Sequence, residues 1–325
     1  MSCDICSLAL YAAVASILLL CLFCVILCKI SSPYPNILRF DEEKYFSDPV
    51  TNNLVKFPSL DDPWSVHLSV VIPAYNEELR LPPMLEECLE FLSAREPTFI
   101  YELIVVSDGS RDKTVQVACK SRNSHIRVLD LKQNRGKGGA VRLGVESCRG
   151  AVILFADADG ATKFSDLSKL EDSLQDLVKG DYKKDPSKVS ESLAVVCGSR
   201  AHLEAESVAK RSLFRTLLMW GFHLLVKTFG VRDIADTQCG FKLFTRRSAQ
   251  LAFRSLHVER WAFDVELLYI AKCLKIPISE IAVNWTEIEG SKIVPVLSWL
   301  QMGKDLFLIW LRYRLGAWKL RAKVD

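Results

Sequence analysis

The sequence predicts an α/β fold with a mostly parallel, doubly wound sheet, an N-terminal transmembrane helix and C-terminal helices at a membrane interface. Three observations lead to this prediction. Residues 5–28 contain no charged side chain, short apolar segments alternate with helical segments from residue 68 onward, and polar residues directly follow four of the apolar segments. Strands that alternate with helices form parallel sheets covered by helices on both faces.

The N-terminal apolar segment is predicted to anchor the chain in a membrane. As a helix, residues 5–28 would span roughly 36 Å, which is enough to cross a bilayer with some tilt. Asp4 precedes the segment and Lys29 follows it, so the positive-inside tendency places the rest of the chain in the cytosol. The alternative is a cleaved signal peptide, which requires a basic start and a shorter apolar core. We therefore expect an uncleaved anchor over residues 1–30.

Composition narrows the class of protein. The formal net charge of +3 is too small to indicate nucleic-acid binding. Five of the eleven cysteines lie in or beside the apolar segment, and the other six show no metal-like spacing. This distribution is typical of reduced thiols in a cytosolic domain.

The strands and helices follow a Pro-punctuated linker over residues 31–65. Four strands are predicted in LSVVIPAYN, YELIVVSDGS, IRVLDLK and AVILFADADG. Apolar spacing predicts helices between them, in LPPMLEECLEFLSAR, DKTVQVACKSRN and GKGGAVRLGVESC. Residues 180–192 indicate a surface loop, SLAVVCGSR and DTQCGFKLFT further strands, and FDVELLYIAKCL a helix. The last apolar segment, WLQMGKDLFLIWLRYRLGAWKLR, carries aromatic and basic residues, which favours an interfacial helix, with core packing as the alternative.

Polar residues at the strand ends are candidate ligand contacts, because open α/β sheets bind ligands outside the carboxyl ends of their strands. In IPAYNEE the residues after Pro73 form a turn, and taken alone such a motif is an ordinary turn in most proteins. In VVSDGSRD, Asp108 is able to accept hydrogen bonds from a nucleobase or a ribose, although aspartate is also a common helix cap. In DADG, Asp157 and Asp159 offer the one or two carboxylates that Mg²⁺ takes beside substrate phosphates, or they form an ordinary turn.

The segment NRGKGGAVRLG is a candidate phosphate-binding turn. It matches neither GxxxxGK[ST] nor GxGxxG, since Val141 occupies the third glycine position. Its glycines still allow close approach of the backbone to a ligand, and Lys137 adds positive charge. Close packing of the helix is the alternative.

Together and in this order, the four strand-end motifs resemble those of the GT-A nucleotide-sugar transferases of glycosyltransferase family 2. The resemblance runs from about Leu68 to Lys319 and includes CGSRAHLE, DTQCGFKLFT, LHVERWAFDVELLYIA and EIAVNWTEIEGSK. It implies a Rossmann-like GT-A catalytic domain over residues 66–250, which binds nucleotide sugar and metal. Residues 251–325 would form an acceptor-side, membrane-interface region.

The downstream stretches resemble members that transfer glucose from UDP-glucose to dolichyl phosphate, with inversion, for protein N-glycosylation. The resemblance implies a single-pass protein of the endoplasmic reticulum membrane whose catalytic domain faces the cytosol. Transfer of mannose from GDP-mannose is the nearest alternative, because the same acids serve either diphosphate. A membrane-anchored, non-catalytic binder of nucleotide sugars is a further alternative.

The resemblance also implies the roles of individual residues. The residues that border the nucleotide sugar would be Pro73, Tyr75, Glu77, Asp108 and Lys137. Asp157 and Asp159 would hold Mg²⁺ or Mn²⁺ against the diphosphate of the donor. The family usually reads Asp-Asp-Gly-Ser where this chain has a serine first, at Ser107, so Asp108 is expected to carry the contact with base or ribose.

A lipid phosphate acceptor does not need a general base. The second pKa of the phosphate group is about 6, so this group is mostly a dianion at cytosolic pH. We therefore expect Asp264 and Glu266 to orient sugar hydroxyls or to hold Arg260, with the role of catalytic base as the alternative. The arginines expected to bind the acceptor phosphate are Arg200, Arg211 and Arg215. Their alternative role is contact with anionic lipid headgroups.

Overall fold

The computed structural model describes residues 2–120, 123–203, 221, 231, 233–288 and 295–321. Its helices of six or more residues are α1 Ser2–Ile30, α2 Leu81–Ser93, α3 Thr114–Lys120, α4 Lys137–Val145, α5 Leu167–Val178, α6 Pro186–Glu191, α7 Arg246–Phe253, α8 Phe263–Cys273 and α9 Pro295–Arg314. Its strands are β1 Tyr45–Ser47, β2 Leu54–Lys56, β3 Val66–Ala74, β4 Tyr101–Ser107, β5 Ile126–Asp130, β6 Gly150–Ala156, β7 Val195–Ser199, β8 Phe241–Thr245 and β9 Ile278–Ala282.

Seven of the strands form one mixed sheet in the order β5-β4-β3-β6-β8-β7-β9. The pairs from β5 to β6 are parallel, and β7 also pairs in parallel with β9. Strand β8 runs antiparallel to both of its neighbours. The predicted mostly parallel, doubly wound sheet is thus confirmed, and the antiparallel insertion of β8 is a feature that apolar runs do not encode.

Helices cover both faces of the sheet. Alternate residues of β3 show this division, because Val70 and Ile72 pack in one buried cluster while Val71 packs in the other. The first cluster includes residues from α2, α3 and α5, and the second includes residues from α4, α7 and α8. Side chains of a strand point alternately to the two faces, so every strand buried on both sides must be apolar almost throughout.

The segment predicted as a linker, residues 31–65, packs on the domain. It contains the antiparallel hairpin β1–β2, and Phe46, Phe57 and Leu60 are buried in the core. The buried Glu43 carboxylate pairs with Arg135 Nη2 at 2.9 Å. These contacts tie the chain between α1 and β3 to the region around α4.

The predicted surface loop over residues 180–192 contains a short helix, α6. Asp185 caps its N-terminus by accepting a hydrogen bond from the Lys188 N–H at 3.1 Å, and Pro186 occupies the first turn. Both features favour a helix start. The loop prediction is therefore wrong at α6.

Two apolar helices lie at the ends of the chain. Helix α1 contains the segment Leu10–Ile30, which is long and apolar enough to cross a membrane. Helix α9 buries Leu306 and Ile309 in a cluster with residues of α8, while Phe307 on another side is 41% exposed. One side of α9 therefore packs against the domain, and its contact with a membrane stays a prediction.

Candidate active site

The carboxyl ends of three neighbouring strands bring the predicted motifs to one edge of the sheet. Strand β3 pairs in parallel with both β4 and β6, so Tyr75, Asp108 and Asp157, which follow these strands, lie at the same edge. The strands β4 and β5 lie on one side of β3 in the sheet, whereas the next strand along the chain, β6, lies on its other side, so the strand order reverses between β3 and β6. Open α/β sheets bind their ligands in the crevice at such a reversal.

Asp157 is fixed by contacts with two other parts of the chain. Its backbone N–H donates to the carbonyl of Gly240 at 2.9 Å, and its Oδ1 forms an ion pair with Lys137 Nζ at 2.6 Å. A Cβ atom on Gly240 would lie 2.0 Å from Asp157 Oδ2. Glycine is therefore needed at position 240 to leave space for the carboxylate, whose side chain remains 35% exposed.

Asp159 is an acid whose charged form is unfavourable in this fold. Burial and the neighbouring Asp157 carboxylate raise its pKa, although Arg80 and Lys137 act in the opposite direction. Its Oδ1 accepts a hydrogen bond from the Ala161 N–H at 3.0 Å. A cation bound between the two carboxylates would relieve their repulsion.

The two acids fit a hard divalent cation. Mg²⁺ takes one or two carboxylates together with water and substrate phosphate oxygens, and two aspartates leave most coordination positions for such ligands. Among the residues that the structure describes, no group of three or more His, Cys, Asp or Glu is arranged to hold a metal.

A buried ion pair lies close to this site. Lys242 is completely buried, and its Nζ donates to Asp264 Oδ1 and to the Cys239 carbonyl, both at 2.6 Å. Burial alone lowers the pKa of Lys242, but attraction to Asp264 raises it overall. The sequence offers Arg260 as one possible partner of the acids in α8, beside sugar hydroxyls, whereas the structure pairs Asp264 with Lys242.

Lys137 interacts electrostatically with Asp264 of this buried pair and with both candidate metal acids. Burial lowers its pKa, but attraction to Asp157, and next to Asp264, outweighs burial and raises the pKa. The ammonium group therefore stays charged beside Asp157. It supplies the positive charge that the strand-end carboxylate needs.

Glu266 is fully buried and holds the chain before α8. Its carboxylate accepts hydrogen bonds from the backbone N–H groups of His257 and Val258, and from the Tyr313 hydroxyl at 2.8 Å. These contacts favour a positioning role for Glu266 over direct contact with sugar hydroxyls.

Asp108 binds the glycine-rich turn. Its Oδ1 accepts from the Arg135 N–H at 2.7 Å, and its Oδ2 accepts from the Gly136 N–H at 2.9 Å. Burial raises its pKa in spite of these hydrogen bonds. A contact of Asp108 with base or ribose would have to use the lone pairs that these two N–H groups leave.

The glycine-rich turn itself is closely packed. A Cβ atom on Gly138 would lie 2.5 Å from the Phe263 Cβ, and one on Gly136 would lie 2.7 Å from the Glu259 carbonyl oxygen. The alternative of plain packing thus accounts for these two glycines. Within this segment, Lys137 forms an ion pair with Asp157, one of the two candidate metal acids.

The turn after β3 lies at the same edge of the sheet as Asp108 and Asp157. Pro73 is half-buried in β3 and Tyr75 follows the strand. Both carboxylate oxygens of Glu77 bind the Arg80 guanidinium at 2.7 Å, and Arg80 also attracts Asp159. The predicted contact of these residues with nucleotide stays a prediction.

Arg200 is positioned by an acid that the sequence analysis did not single out. Its Nε and Nη2 bind the two carboxylate oxygens of Asp236 at 2.7 and 2.9 Å. Asp236 is held in turn by Glu280, which accepts from its backbone N–H at 2.7 Å. The Arg200 side chain remains 30% exposed. Arg211 and Arg215 lie outside the described residues.

The segment DTQCGFKLFT contains three residues that the sequence pattern does not mark as functional: Asp236, Gly240 and Lys242. Their partners are Arg200, Asp157 and Asp264, which lie in other segments of the chain. The one local sign of their importance was a lysine, Lys242, within an apolar strand pattern, where a charged residue is unusual. Ser107, at the usual aspartate position, is buried, and its Oγ has no hydrogen-bond partner within the described part of the chain.

Comparison with known proteins agrees with this architecture. Residues 69–182 match the family described as Glycosyl transferase family 2. Dolichyl-phosphate beta-glucosyltransferase of Drosophila melanogaster is 59% identical over 89% of this chain and 88% of the relative. The human enzyme of that name is 54% identical over 96% of each chain, and the mouse enzyme is 56% identical over 88% of each.

Solved structures add a more distant likeness. The glucosyl-3-phosphoglycerate synthase of Mycobacterium tuberculosis is 19% identical, with a TM-score of 0.49 over 78% of this chain and 81% of that chain. This score is too low to support a functional conclusion. The sequence relatives, by contrast, match over nearly the whole chain, and we conclude that the chain belongs to the family of the dolichyl-phosphate beta-glucosyltransferases and contains a family 2 glycosyl transferase domain.

Proposed function

We propose that the protein transfers glucose from UDP-glucose to dolichyl phosphate, with inversion, to form dolichyl β-D-glucosyl phosphate. The observation that carries the proposal is the acid pair Asp157 and Asp159 at the strand-order reversal of a chain that belongs to this family. The names of the fruit-fly and human relatives state both the transferred sugar, glucose, and the acceptor, dolichyl phosphate.

The donor side is built to stabilise a leaving diphosphate. Asp157 and Asp159 would hold Mg²⁺ or Mn²⁺, which when bound neutralises negative charge on the departing UDP. Gly240 leaves the space that the Asp157 carboxylate occupies. Lys137, charged at 2.6 Å from Asp157, adds a fixed positive charge beside the same phosphates.

The acceptor side needs cations rather than a base. A phosphate monoester is mostly a dianion at neutral pH, since its second pKa is about 6, so its oxygen is already a nucleophile. The Arg200 side chain is 30% exposed, and Asp236 fixes the orientation of its guanidinium. Asp264, paired with Lys242, is then a residue that positions charge and is not needed as a general base.

The chain would act at a membrane surface. Helix α1 offers the segment Leu10–Ile30 as an anchor, and Lys29 at its end favours the cytosolic side for the domain that follows. We place the protein in the endoplasmic reticulum membrane, as a single-pass protein with its catalytic domain facing the cytosol. This arrangement brings the domain to the surface at which a dolichol-borne phosphate lies.

The test is transfer of radiolabelled glucose from UDP-glucose to dolichyl phosphate by the purified full-length protein. We expect EDTA to abolish transfer and Mn²⁺ or Mg²⁺ to restore it. Asp157→Ala should lower transfer at least a hundredfold. The matched control is Asp176→Ala, which removes an exposed carboxylate on α5 and should leave transfer unchanged.

The alternatives give different results in the same assay. Faster transfer from GDP-mannose than from UDP-glucose would assign the protein to mannose transfer. UDP binding without transfer by the wild type would favour a non-catalytic binder. Equal transfer by Asp157→Ala and Asp176→Ala would refute the metal role of Asp157.

A further inference from the structure

A cavity of about 480 Å³ lies where the N-terminal anchor meets the catalytic domain. Ile30, Ser31 and Ser32, at and just after the end of α1, line one side of it. The chain around α4, α8 and α9 lines the other side. The residues proposed to bind donor and metal, Asp157, Asp159 and Lys137, are absent from the described lining of this cavity.

The lining of the cavity is rich in positive charge. Three arginines, Arg142, Arg260 and Arg312, line it together with His257 and one acid, Glu259. Glu259 forms an ion pair with Arg142. Arg260 and Arg312 also attract Asp305 of α9. Three arginines against one glutamate give the described lining an excess of positive charge, which suits an anionic ligand.

Two buried N–H donors in this lining have no hydrogen-bond partner within the described part of the chain: Arg142 Nε and Arg312 Nε. Arg142 is only 1% exposed. A buried donor without an acceptor destabilises a fold, and native proteins seldom leave several of them together. A ligand with several acceptor oxygens would satisfy them.

The side chains are already held in place for such a ligand. The His257 and Trp318 rings stack with their centres 4.2 Å apart, and the Arg312 guanidinium lies 4.7 Å from the centre of the Trp318 ring. Arg142 Nη1 donates to the Leu256 carbonyl at 2.9 Å. His257 Nδ1 lies 3.3 Å from a Glu266 carboxylate oxygen, and this contact fixes the orientation of the ring.

We propose that this cavity binds the phosphate group of an anionic phospholipid from the cytosolic leaflet. Arginine is suited to phosphate because its planar fork donates two parallel hydrogen bonds. The proposal rests on the membrane anchoring described under the proposed function. Because Ile30 ends the predicted span and lines the cavity, headgroups that surround the helix end lie at the cavity mouth.

Bound lipid at this position would fix the domain relative to the membrane. The same wall of the cavity, Glu259 and Arg260, packs on Gly136 at the start of α4, and Lys137 follows directly. A phospholipid phosphate would thus hold together α1, α4 and α9 close to the donor side.

The experiment measures binding of short-chain lipids to the full-length protein in a non-ionic detergent. The probes are dioctanoyl phosphatidic acid, dioctanoyl phosphatidylcholine, farnesyl phosphate and inorganic phosphate. We expect phosphatidic acid to bind at least tenfold more tightly than the other three. Arg312→Gln should weaken its binding at least tenfold. The matched control, Arg314→Gln, alters an exposed arginine of the same helix and should change binding less than twofold.

Several outcomes would overturn the proposal. Equal binding by Arg312→Gln and Arg314→Gln would exclude the cavity as the site. Equal or tighter binding of inorganic phosphate would refute a lipid ligand, and tighter binding of farnesyl phosphate would assign the cavity to an isoprenoid acceptor. If Arg312→Gln lowers the Tm strongly, Arg260→Gln replaces it, because Arg260 is exposed.

The binding assay is independent of catalysis. Asp157→Ala should abolish glucose transfer and leave binding of phosphatidic acid unchanged. Failure of the proposed function and failure of the lipid site therefore give different results.

Discussion

Replacing Gly240 by alanine perturbs the Asp157 carboxylate without changing any polar group. The new Cβ would lie 2.0 Å from Asp157 Oδ2, whereas ordinary contacts begin at 3.4 Å. The carboxylate must therefore shift by about 1.4 Å, since Gly240 directly precedes β8, whose pairing with β6 fixes the backbone. A misplacement of about 1 Å in an active site costs roughly a hundredfold in rate. We expect Gly240→Ala to lower kcat/KM for UDP-glucose by about that factor.

The assay is glucose transfer to dolichyl phosphate over a titration of Mn²⁺, with the Tm of each variant measured in parallel. Gly180→Ala is the matched control, because its Cβ would meet nothing closer than the Val189 Cγ2 at 3.4 Å. We also expect Gly240→Ala to need more Mn²⁺ for half-maximal transfer. Transfer by Gly240→Ala within threefold of Gly180→Ala at every Mn²⁺ concentration would refute the reasoning.

Two further predictions concern the charged groups of the site. Burial, and next the Asp157 carboxylate, raise the pKa of Asp159 in the folded protein, so its charge destabilises the fold above that pKa and ceases to do so as the pH falls below the unfolded value. Asp159→Asn should therefore raise the Tm in EDTA at pH 7.5 while abolishing transfer. This gain in Tm should shrink as the pH falls and vanish below the pKa of an unfolded aspartate, about 3.9. A lowered Tm, or a gain that does not change with pH, would contradict this. Lys242→Met leaves the Asp264 carboxylate buried without its cation and should lower the free energy of unfolding by about 3–5 kcal/mol, which is roughly 6–20 °C in Tm. Adding Asp264→Leu to the same chain should restore part of this loss. An unchanged Tm in the single variant would show that the pair is not formed.

The local patterns of the sequence determined most of the parallel half of the sheet. Apolar runs that end in polar residues mark β3, β4 and β6, and they place Asp108 and Asp157 at strand ends. Such features depend on residues within one segment, so periodicity and turn chemistry suffice to predict them. The acid pair was accordingly found from the sequence, as was the apolar helix at the N-terminus.

The partners of these residues were decided by the tertiary structure. Gly240 leaves space for the Asp157 carboxylate. Asp236 orients Arg200, and Lys242 pairs with Asp264. Each of these pairs joins separate segments of the chain. The burial of Glu43 against Arg135 likewise makes part of the predicted linker a component of the domain. Charge pairing and steric space depend on which segments meet in the fold, and a sequence pattern confined to one segment does not contain that information.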